Sequence, residues 1–280
     1  MRFVYPQGKK KALTFSYDDG QDFDRRLAEL FRSHGMKGTF HLNSGRLGVR
    51  REQKANKLGL HSDYEAFVGA EEIKEVYAGH EVACHGVQHK NLFTVTREQM
   101  VLEIQEDRKA LEKITGGLVQ GMSYAYGHYN QEIMDTARSL GIKYSRTVED
   151  TKAFFPPMDF MAWHPTCHHG NGLLELGDRF IDVPGYYELP LMYVWGHSFE
   201  FGWSNDWSVI EAFVDKMAGK YDIWYATNME ICDYVQAVRR QEFSADGMMM
   251  HNPTAVDVWV SVQDGLVEVK AGETKYIGEL

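Results

Sequence analysis

Two patterns of apolar residues alternate between residues 13 and 241. Short continuous apolar runs, typical of buried strands, occur at 13–19, 38–42, 81–84, 121–125, 143–145, 189–195 and 222–226. Apolar residues three or four positions apart, typical of helices, occur at 22–34, 71–77, 96–114, 130–140, 207–219 and 229–241. Thr96 and Gln99 form a capping-box pattern at the start of the third of these helices. Strands that alternate with helices predict parallel pairing, in a barrel or a doubly wound sheet.

Polar side chains follow several of these strands at their carboxyl ends. They are Asp18, Asp19, His85, His89, Tyr126 and His197. In a (β/α) barrel these strand ends meet at one mouth, which is where such folds place their chemistry. The sequence therefore favours an α/β barrel with its functional site at that mouth.

The segments outside this alternation have their own character. Residues 43–69 are polar and predict a loop or short helix, and residues 147–187 are irregular and rich in Phe, Pro, Trp and His, as in an active-site rim. Alternating apolar residues after 255 predict a β-hairpin with its turn at Asp264–Gly265 and a third strand at 275–277. We expect a barrel domain over 1–245 and a C-terminal β-hairpin extension over 246–280, which packs on the barrel or mediates dimer contacts.

Composition narrows the classes of partner. The 280 residues carry a formal net charge of −10, which argues against nucleic acid or an anionic membrane. The sequence contains no stretch of about 18 apolar residues, so no membrane span is predicted. Three cysteines without a CxxC pair favour reduced thiols, and the first residues lack the apolar region of a signal peptide. We therefore expect a cytoplasmic protein with a small-molecule or oligosaccharide substrate, and the sequence leaves a homo-oligomer open.

The residues at the strand ends indicate hydrolytic chemistry. Asp18 and Asp19 repel each other, so a site that uses both gives them different tasks. His85 and His89 are four positions apart and share one face if the backbone there is helical. Two imidazoles with one carboxylate, from Asp18 or Asp19, are a recurring ligand set for hydrolytic zinc. The alternatives without a catalytic function are that the two acids cap a helix and that the two histidines are four positions apart by chance.

At these positions the sequence resembles the polysaccharide deacetylases, the NodB-homology enzymes of carbohydrate esterase family 4. Residues 14–20 (TFSYDDG) resemble the TFDDG motif of that family, and residues 85–89 (HGVQH) resemble its HxxxH motif. Residues 123–127 (SYAYG) stand where the family has RxPYG, and His197 stands where it has its last catalytic histidine. The resemblance covers roughly residues 10 to 240 and implies a distorted barrel of the NodB type, with seven strands.

The resemblance also implies roles for individual residues. Asp18 would be the general base, and the metal ligands would be Asp19, His85 and His89. The metal would be zinc, or cobalt, nickel or manganese as in relatives. The Tyr126 backbone N–H would stabilise the oxyanion, and His197 would protonate the leaving amine.

Two departures from the family pattern bear on the catalytic base. Ser123 stands where the family has an arginine that pairs with this base, and Ala125 replaces its proline. The ion pair of Asp18 is therefore missing or supplied from elsewhere. Arg146 and Arg179 are the candidates that the sequence offers.

Five residues of the irregular rim and its neighbourhood have open interpretations. Trp163 either stacks on a sugar ring or simply packs, and with Asp159 it is a possible counterpart of the family residues that support the catalytic histidine. Glu200 orients His197, binds a sugar hydroxyl or is an ordinary loop carboxylate. His168 and His169 suggest a second metal site, but adjacent side chains on an extended chain point apart, which disfavours it.

These observations predict a metal-dependent hydrolase that removes an N-acetyl group from an N-acetylated sugar or glycoconjugate. One alternative is a metal hydrolase that acts on another amide or ester on the same fold. The other is a catalytically weak sugar-binding protein that has begun to lose its active site, as the missing arginine would suggest.

Overall fold

The computed structural model describes residues 1–52, 64–263 and 265–278. Eight α-helices lie in these ranges: α1 (Asp24–Ser33), α2 (Ile73–Val76), α3 (Arg97–Thr115), α4 (Gln131–Ser139), α5 (Leu173–Ile181), α6 (Ser198–Ser204), α7 (Ser208–Met217) and α8 (Asn228–Arg239). In the described part of the chain, no helix is both long and apolar enough to cross a membrane.

The strands of the same ranges, in chain order, are β1 (Arg2–Val4), β2 (Lys11–Asp19), β3 (Thr39–Leu42), β4 (Arg50–Glu52), β5 (Tyr64–Ala66), β6 (Glu81–Cys84), β7 (Gly121–Ser123), β8 (Tyr144–Arg146), β9 (Cys167–His168), β10 (Leu191–Gly196), β11 (Ile223–Tyr225), β12 (Glu242–Phe243), β13 (Met249–His251), β14 (Val258–Val262), β15 (Gly265–Val269) and β16 (Thr274–Tyr276).

Seven strands form one curled parallel run, in the order β8-β7-β6-β3-β2-β10-β9. The predicted distorted (β/α) barrel of the NodB type, with seven strands, is confirmed. β2 is an interior strand of this run and is buried along nearly its whole length. β10 pairs with β2 on one side, and on the other side β11 and β3 pair with its first and last residues. Asp18 and Asp19 therefore end a strand that has neighbours on both sides at the barrel mouth.

Most helices and strands agree with the sequence pattern within a few residues. The predicted capping box is present at the start of α3: the Thr96 hydroxyl accepts the Gln99 backbone N–H, and the Gln99 side chain accepts the Thr96 N–H. The irregular segment 147–187 differs from the prediction, because it contains the nine-residue helix α5. The helix predicted at 207–219 is α7, and the sequence analysis missed the short helix α6 before it.

The C-terminal β structure involves the first strand of the chain. β14 and β15 form the predicted hairpin, and β1 pairs with β14 to give a three-stranded antiparallel sheet. Asp264 of the predicted turn lies outside the described residues. The predicted third strand exists as β16, but it pairs with β13 in a separate sheet. Tyr5 and Tyr234 pack with Val258, Val260 and Val269 in one hydrophobic cluster, so apolar burial links this region to the barrel.

Candidate active site

The backbone turns sharply at the end of β2. Asp19 has a φ of 80° and Gly20 a φ of 70°. A positive φ is unfavourable for an aspartate, so the surrounding structure must hold it, and such strain often marks functional sites. Asp18 points into the barrel and is buried, whereas Asp19 lies at the mouth and is 13% exposed.

The segment that carries His85 and His89 is a loop and not a helix, so the helical backbone considered in the sequence analysis is wrong. Gly86 has a φ of 82° and His89 a φ of 56°, and these two residues bring both rings to one side. Their ring centroids are 4.6 Å apart. The arrangement therefore depends on a folded loop, which the i, i+4 spacing alone does not specify.

Neighbouring elements hold this loop from behind. Asn43, just after β3, donates its side-chain amide to the carbonyls of His85 and Gly86, each at 2.8 Å. The Asp107 carboxylate on α3 accepts the backbone N–H groups of the same two residues, each at 3.0 Å. These bonds satisfy buried backbone groups and fix the loop before any ligand arrives.

Asp19, His85 and His89 place three potential ligand atoms within 4.8 Å of one another. The Nε2 atoms of His85 and His89 lie 3.9 and 3.8 Å from Asp19 Oδ1. Asp19 Oδ1 and His85 Nε2 are buried and have no hydrogen-bond partner among the described residues. Buried polar atoms without partners are costly, and one divalent cation would satisfy all three. The residues therefore fit the metal that the family resemblance implies.

Ser123 sets the protonation of His85. His85 Nδ1 lies 2.7 Å from the Ser123 hydroxyl and 3.0 Å from the Ser123 carbonyl. The carbonyl can only accept, and the hydroxyl donates its proton to Asp18, so Nδ1 carries the proton. Nε2 then carries the lone pair, 3.9 Å from Asp19 Oδ1, as a metal ligand requires. Burial lowers the pKa of His85 well below its ordinary value, despite the opposing charge of Asp18. The ring is therefore neutral and able to coordinate a cation.

Arg146 supplies the ion pair that the sequence left open. Its Nη2 donates to Asp18 Oδ2, and both side chains are buried. The guanidinium also stacks on Trp195, 4.4 Å from the ring centroid. The charge that the family resemblance places at Ser123 thus comes from the neighbouring strand β8. The other candidate, Arg179, packs instead over Phe154.

Two further side chains hold the other oxygen of Asp18. The Ser123 hydroxyl donates to Asp18 Oδ1 at 3.2 Å, and His41 Nδ1 lies 3.3 Å from the same oxygen. Burial alone would raise the pKa of Asp18, but Arg146, His85 and His41 together lower it well below its ordinary value. Asp18 is therefore an ionised carboxylate, held on both oxygens.

His197 follows β10 and is tied to Glu200. His197 Nδ1 donates to Glu200 Oε1 at 3.0 Å, which leaves Nε2 for other partners. Burial would lower the pKa of His197, but the hydrogen bond to Glu200 and the charges of Asp18, Asp19 and Glu200 raise it. This geometry favours the interpretation in which Glu200 orients His197.

His168 and His169 both contact this same carboxylate. Their Nε2 atoms lie 3.0 and 2.7 Å from Glu200 Oε2, and their ring centroids are 4.3 Å apart. The expectation that the two rings point apart is therefore wrong, because β9 ends at His168 and the chain turns there. Burial would raise the pKa of Glu200, but the hydrogen bonds from the three imidazoles lower it strongly.

The comparison with protein families decides the classification. The model of the family described as polysaccharide deacetylase matches residues 5–145, just over half of the chain. The chain belongs to the polysaccharide deacetylase family. The matched range includes β2 and both histidines of the HGVQH loop, and it ends before His197.

One curated relative comes from Arthroderma benhamiae. It is described as a probable peptidoglycan-N-acetylglucosamine deacetylase and is 24% identical over 147 residues. Those residues are 52% of this chain, and the match spans 30% of the length of the relative.

Solved structures share the fold of this chain over most of its length. A Mycobacterium smegmatis protein described as a polysaccharide deacetylase has a TM-score of 0.61 at 16% identity, and the match covers 85% of this chain and 94% of that one. Puue allantoinase has a TM-score of 0.58 at 13% identity, and the match covers 81% of this chain and 91% of that one. At such identities the likeness shows the fold alone.

Tyr126 lies at the rim of the barrel mouth. Its backbone has a φ of 61°. Asp19 and His89, two of the metal-ligand candidates, also have a positive φ, so three non-glycine residues in this region have a strained backbone. Its exposed ring stands edge-on to His89, with centroids 4.5 Å apart. The structure thus brings Tyr126 next to the metal-ligand candidates, and its role as an oxyanion donor stays a prediction.

Trp163 is the predicted substrate-binding residue that the structure does not support. It is fully buried and packs between Tyr144, Phe160 and Tyr193, with centroids 5.5, 4.8 and 4.6 Å away. A side chain without exposed surface cannot stack on a sugar, so the packing interpretation holds. Asp159 caps a short turn and pairs with Arg138, and no contact links it to His197 within the described residues.

Proposed function

We propose that this polysaccharide deacetylase removes the acetyl group from an N-acetylated sugar or glycoconjugate with the help of one divalent cation, most readily zinc. The observation that carries the proposal is that potential ligand atoms of Asp19, His85 and His89 lie within 4.8 Å of one another, next to an ionised Asp18. Two of these atoms, Asp19 Oδ1 and His85 Nε2, have no hydrogen-bond partner among the described residues. Two imidazoles and one carboxylate leave coordination positions open, which is typical of catalytic and not structural zinc.

Asp19 Oδ1 and the Nε2 atoms of His85 and His89 would hold the cation. When bound, the cation supplies a Lewis acid that polarises the acetamide carbonyl and lowers the pKa of water toward about 7. The protein contributes the remaining steps with its own residues.

Asp18 acts as the general base. Its Oδ2 lies 3.6 Å from His85 Nε2, so its carboxylate borders the space between the ligands. Arg146, Ser123 and His41 hold it ionised and in place, and it takes the proton of the attacking water. Its low pKa keeps the base available over the physiological pH range.

His197 acts as the general acid. An amide nitrogen is a poor leaving group, so the carbon–nitrogen bond breaks only if that nitrogen receives a proton. Glu200 accepts the Nδ1 proton of His197, which fixes the ring and leaves Nε2 to deliver a proton to the nitrogen. The Tyr126 backbone N–H contributes to stabilising the negative charge that develops on the carbonyl oxygen.

The position of Arg146 bears on the alternative functions. A decayed sugar-binding protein has no need for a buried arginine on its former base, yet Arg146 pairs with Asp18 inside the barrel. This supports an intact catalytic base and removes the main reason for the binding-protein alternative. No observation among the described residues favours a non-acetyl amide or an ester over an acetamide.

The central test is acetate release from N-acetylated mono- and oligosaccharides with added divalent cations. Asp18→Asn should lower turnover at least about a hundredfold, because the base is lost while the ligands stay. Calorimetric titration with zinc should show unchanged binding. Asp22→Asn, an exposed acid just past the same strand, is the matched control and should keep full activity. Full activity of Asp18→Asn would refute the assignment of the base.

A further inference from the structure

Arg46 lies at the mouth beside the proposed cation site. It ends a short turn, Ser44–Arg46, that follows β3. Its backbone N–H donates to the Asn43 carbonyl at 2.9 Å, and the Gly45 N–H donates to the Val87 carbonyl at 2.9 Å. A side chain at Gly45 would collide with Gln88, so the turn packs closely against the HGVQH loop. The position of Arg46 is therefore built into the same framework as the ligands.

The guanidinium of Arg46 is directed at a metal-ligand candidate. Its Nη1 is 3.8 Å from Asp19 Oδ1, and its Nη2 donates to the Gln88 carbonyl at 3.1 Å. Its side chain is 21% exposed and packs over the Phe67 ring. Among the described residues, Asp19 is the only acid within 4.0 Å of it. When Asp19 holds a cation, that cation and the Arg46 guanidinium are two positive charges beside the same carboxylate.

Such an arrangement works against cation binding. Like charges a few ångströms apart repel, and more strongly when water is partly excluded. The nearby acids do not compensate, because a divalent cation, Arg46 and Arg146 carry four positive charges against the three carboxylates of Asp18, Asp19 and Glu200, even with every imidazole neutral. With a cation present the mouth is therefore locally positive, although the whole chain has a net charge of −10.

A positive mouth is of use for binding an anion. We propose that Arg46 binds a carboxylate or phosphate group of the substrate, so that the enzyme prefers an anionic N-acetylated sugar. A guanidinium presents five N–H donors in a planar fork that suits both groups. This inference rests on the proposed deacetylase function and names the class of its substrate.

A different role for Arg46 would be to stabilise the oxyanion that forms from the acetamide. That charge arises with every substrate, neutral or anionic, and only in the transition state. The two roles can therefore be distinguished by which substrates are affected and by which kinetic constant changes. A substrate-binding arginine affects KM for anionic substrates alone, whereas an oxyanion-stabilising arginine affects kcat for all.

The kinetic test compares Arg46→Gln with the wild-type enzyme on three probes: N-acetylglucosamine, N-acetylmuramic acid and N-acetylglucosamine 6-phosphate. We expect kcat/KM to fall at least about tenfold for the better anionic probe, mainly through KM. The neutral probe should change less than about twofold. The two anionic probes tell carboxylate from phosphate recognition. An equal fall on all three probes, carried by kcat, would overturn the proposal.

Arg51→Gln is the matched control. Arg51 also lies over the Phe67 ring, but its Nε donates to Glu65. Because that carboxylate already neutralises it, we expect Arg51→Gln to keep the kinetics of the wild-type enzyme on all three probes. A loss on the anionic probes equal to that of Arg46→Gln would mean that general surface charge is responsible and would overturn the assignment to Arg46.

A second measurement does not need turnover. Arg46→Gln should bind zinc several-fold more tightly than the wild-type protein in calorimetric titration, because a repelling charge is removed. The zinc-loaded wild-type protein should bind inorganic phosphate, and zinc-loaded Arg46→Gln should bind it at least about tenfold more weakly. Unchanged zinc and phosphate affinities would overturn the proposal. If the wild-type enzyme releases no acetate from any probe, the deacetylase function fails, while these affinities still test Arg46.

Discussion

Two clusters of similar composition lie in the mouth of this barrel, and they differ in how their lone pairs are used. Each contains one carboxylate and two imidazoles: Asp19 with His85 and His89, and Glu200 with His168 and His169. In the first cluster both nitrogens are 3.8–3.9 Å from the carboxylate oxygen. In the second they are 2.7–3.0 Å from it, within hydrogen-bond distance. The first cluster is open for a cation, and the second is already closed by hydrogen bonds.

The difference originates on the far side of each ring. His85 Nδ1 faces the Ser123 carbonyl and must carry the proton, so its Nε2 is a lone-pair donor. His168 Nδ1 accepts the Gly170 backbone N–H at 3.1 Å, so its Nε2 must carry the proton and donate to Glu200. Ligand-type residues in proximity are therefore insufficient to predict a metal site. The second hydrogen bond of each imidazole decides which nitrogen is available.

The largest expected effect separates the two clusters by cation affinity. His89→Ala removes one of three ligands and should weaken zinc binding by at least about a hundredfold, whereas His168→Ala should leave it within about twofold. Calorimetric titration and the zinc content of the purified protein give both values.

The stoichiometry of the wild-type protein is the complementary measurement. One zinc per chain, lost in His89→Ala and kept in His168→Ala, agrees with an open first cluster and a closed second one. Two zinc ions per chain, one of them lost in His168→Ala, would mean that the second cluster opens to bind metal and that the comparison is wrong.

A smaller effect is expected from the carboxylate of the second cluster. Glu200→Gln should lower kcat by up to about a hundredfold, the low end of what a general acid supplies. The hydrogen bond and charge of Glu200 raise the pKa of His197. Without them this pKa falls, so His197 loses its proton at lower pH. The alkaline limb of the kcat profile, where the acid becomes deprotonated, should therefore move to lower pH.

Glu149→Gln is the control for this profile, since Glu149 is an exposed acid of the same rim that lies 3.9 Å from His164. It should leave the alkaline limb in place. An unshifted limb in Glu200→Gln, together with normal zinc binding, would show that Glu200 does not tune the acid.

Local patterns in the sequence were sufficient for much of the fold. The bounds of β6 and the capping box of α3 depend on residues close together in the chain, and both were predicted correctly. Helix α5 had a usable signal as well, because Leu173, Leu176 and Phe180 recur at helical spacing. The aromatic and proline content of the surrounding segment concealed this periodicity.

The site was predictable only where local motifs determine it. Asp18, Asp19, His85 and His89 stand in short motifs, and the structure brings them together. The pairing of Arg146 with Asp18 spans 128 positions, and no local pattern indicates it. The same holds for His41, which reaches Asp18 because β3 pairs beside β2. Such contacts depend on strand order and register, which a single sequence does not provide.

The smallest expected effect tests how firmly the second cluster is packed. A Cβ on Gly196 would lie 2.0 Å from His169 Nδ1, and that ring is held against Phe201 with centroids 4.1 Å apart. Gly196→Ala should therefore displace His169 and lower the free energy of unfolding by about 1–3 kcal/mol. We expect kcat to fall less than in Glu200→Gln, because His168 and His197 still hold Glu200, and zinc affinity to stay unchanged. Gly117→Ala, with no atom within 4 Å of the added carbon, is the control in urea unfolding. Equal stabilities of the two variants would mean that His169 moves aside freely and that the second cluster is not a rigid support for His197.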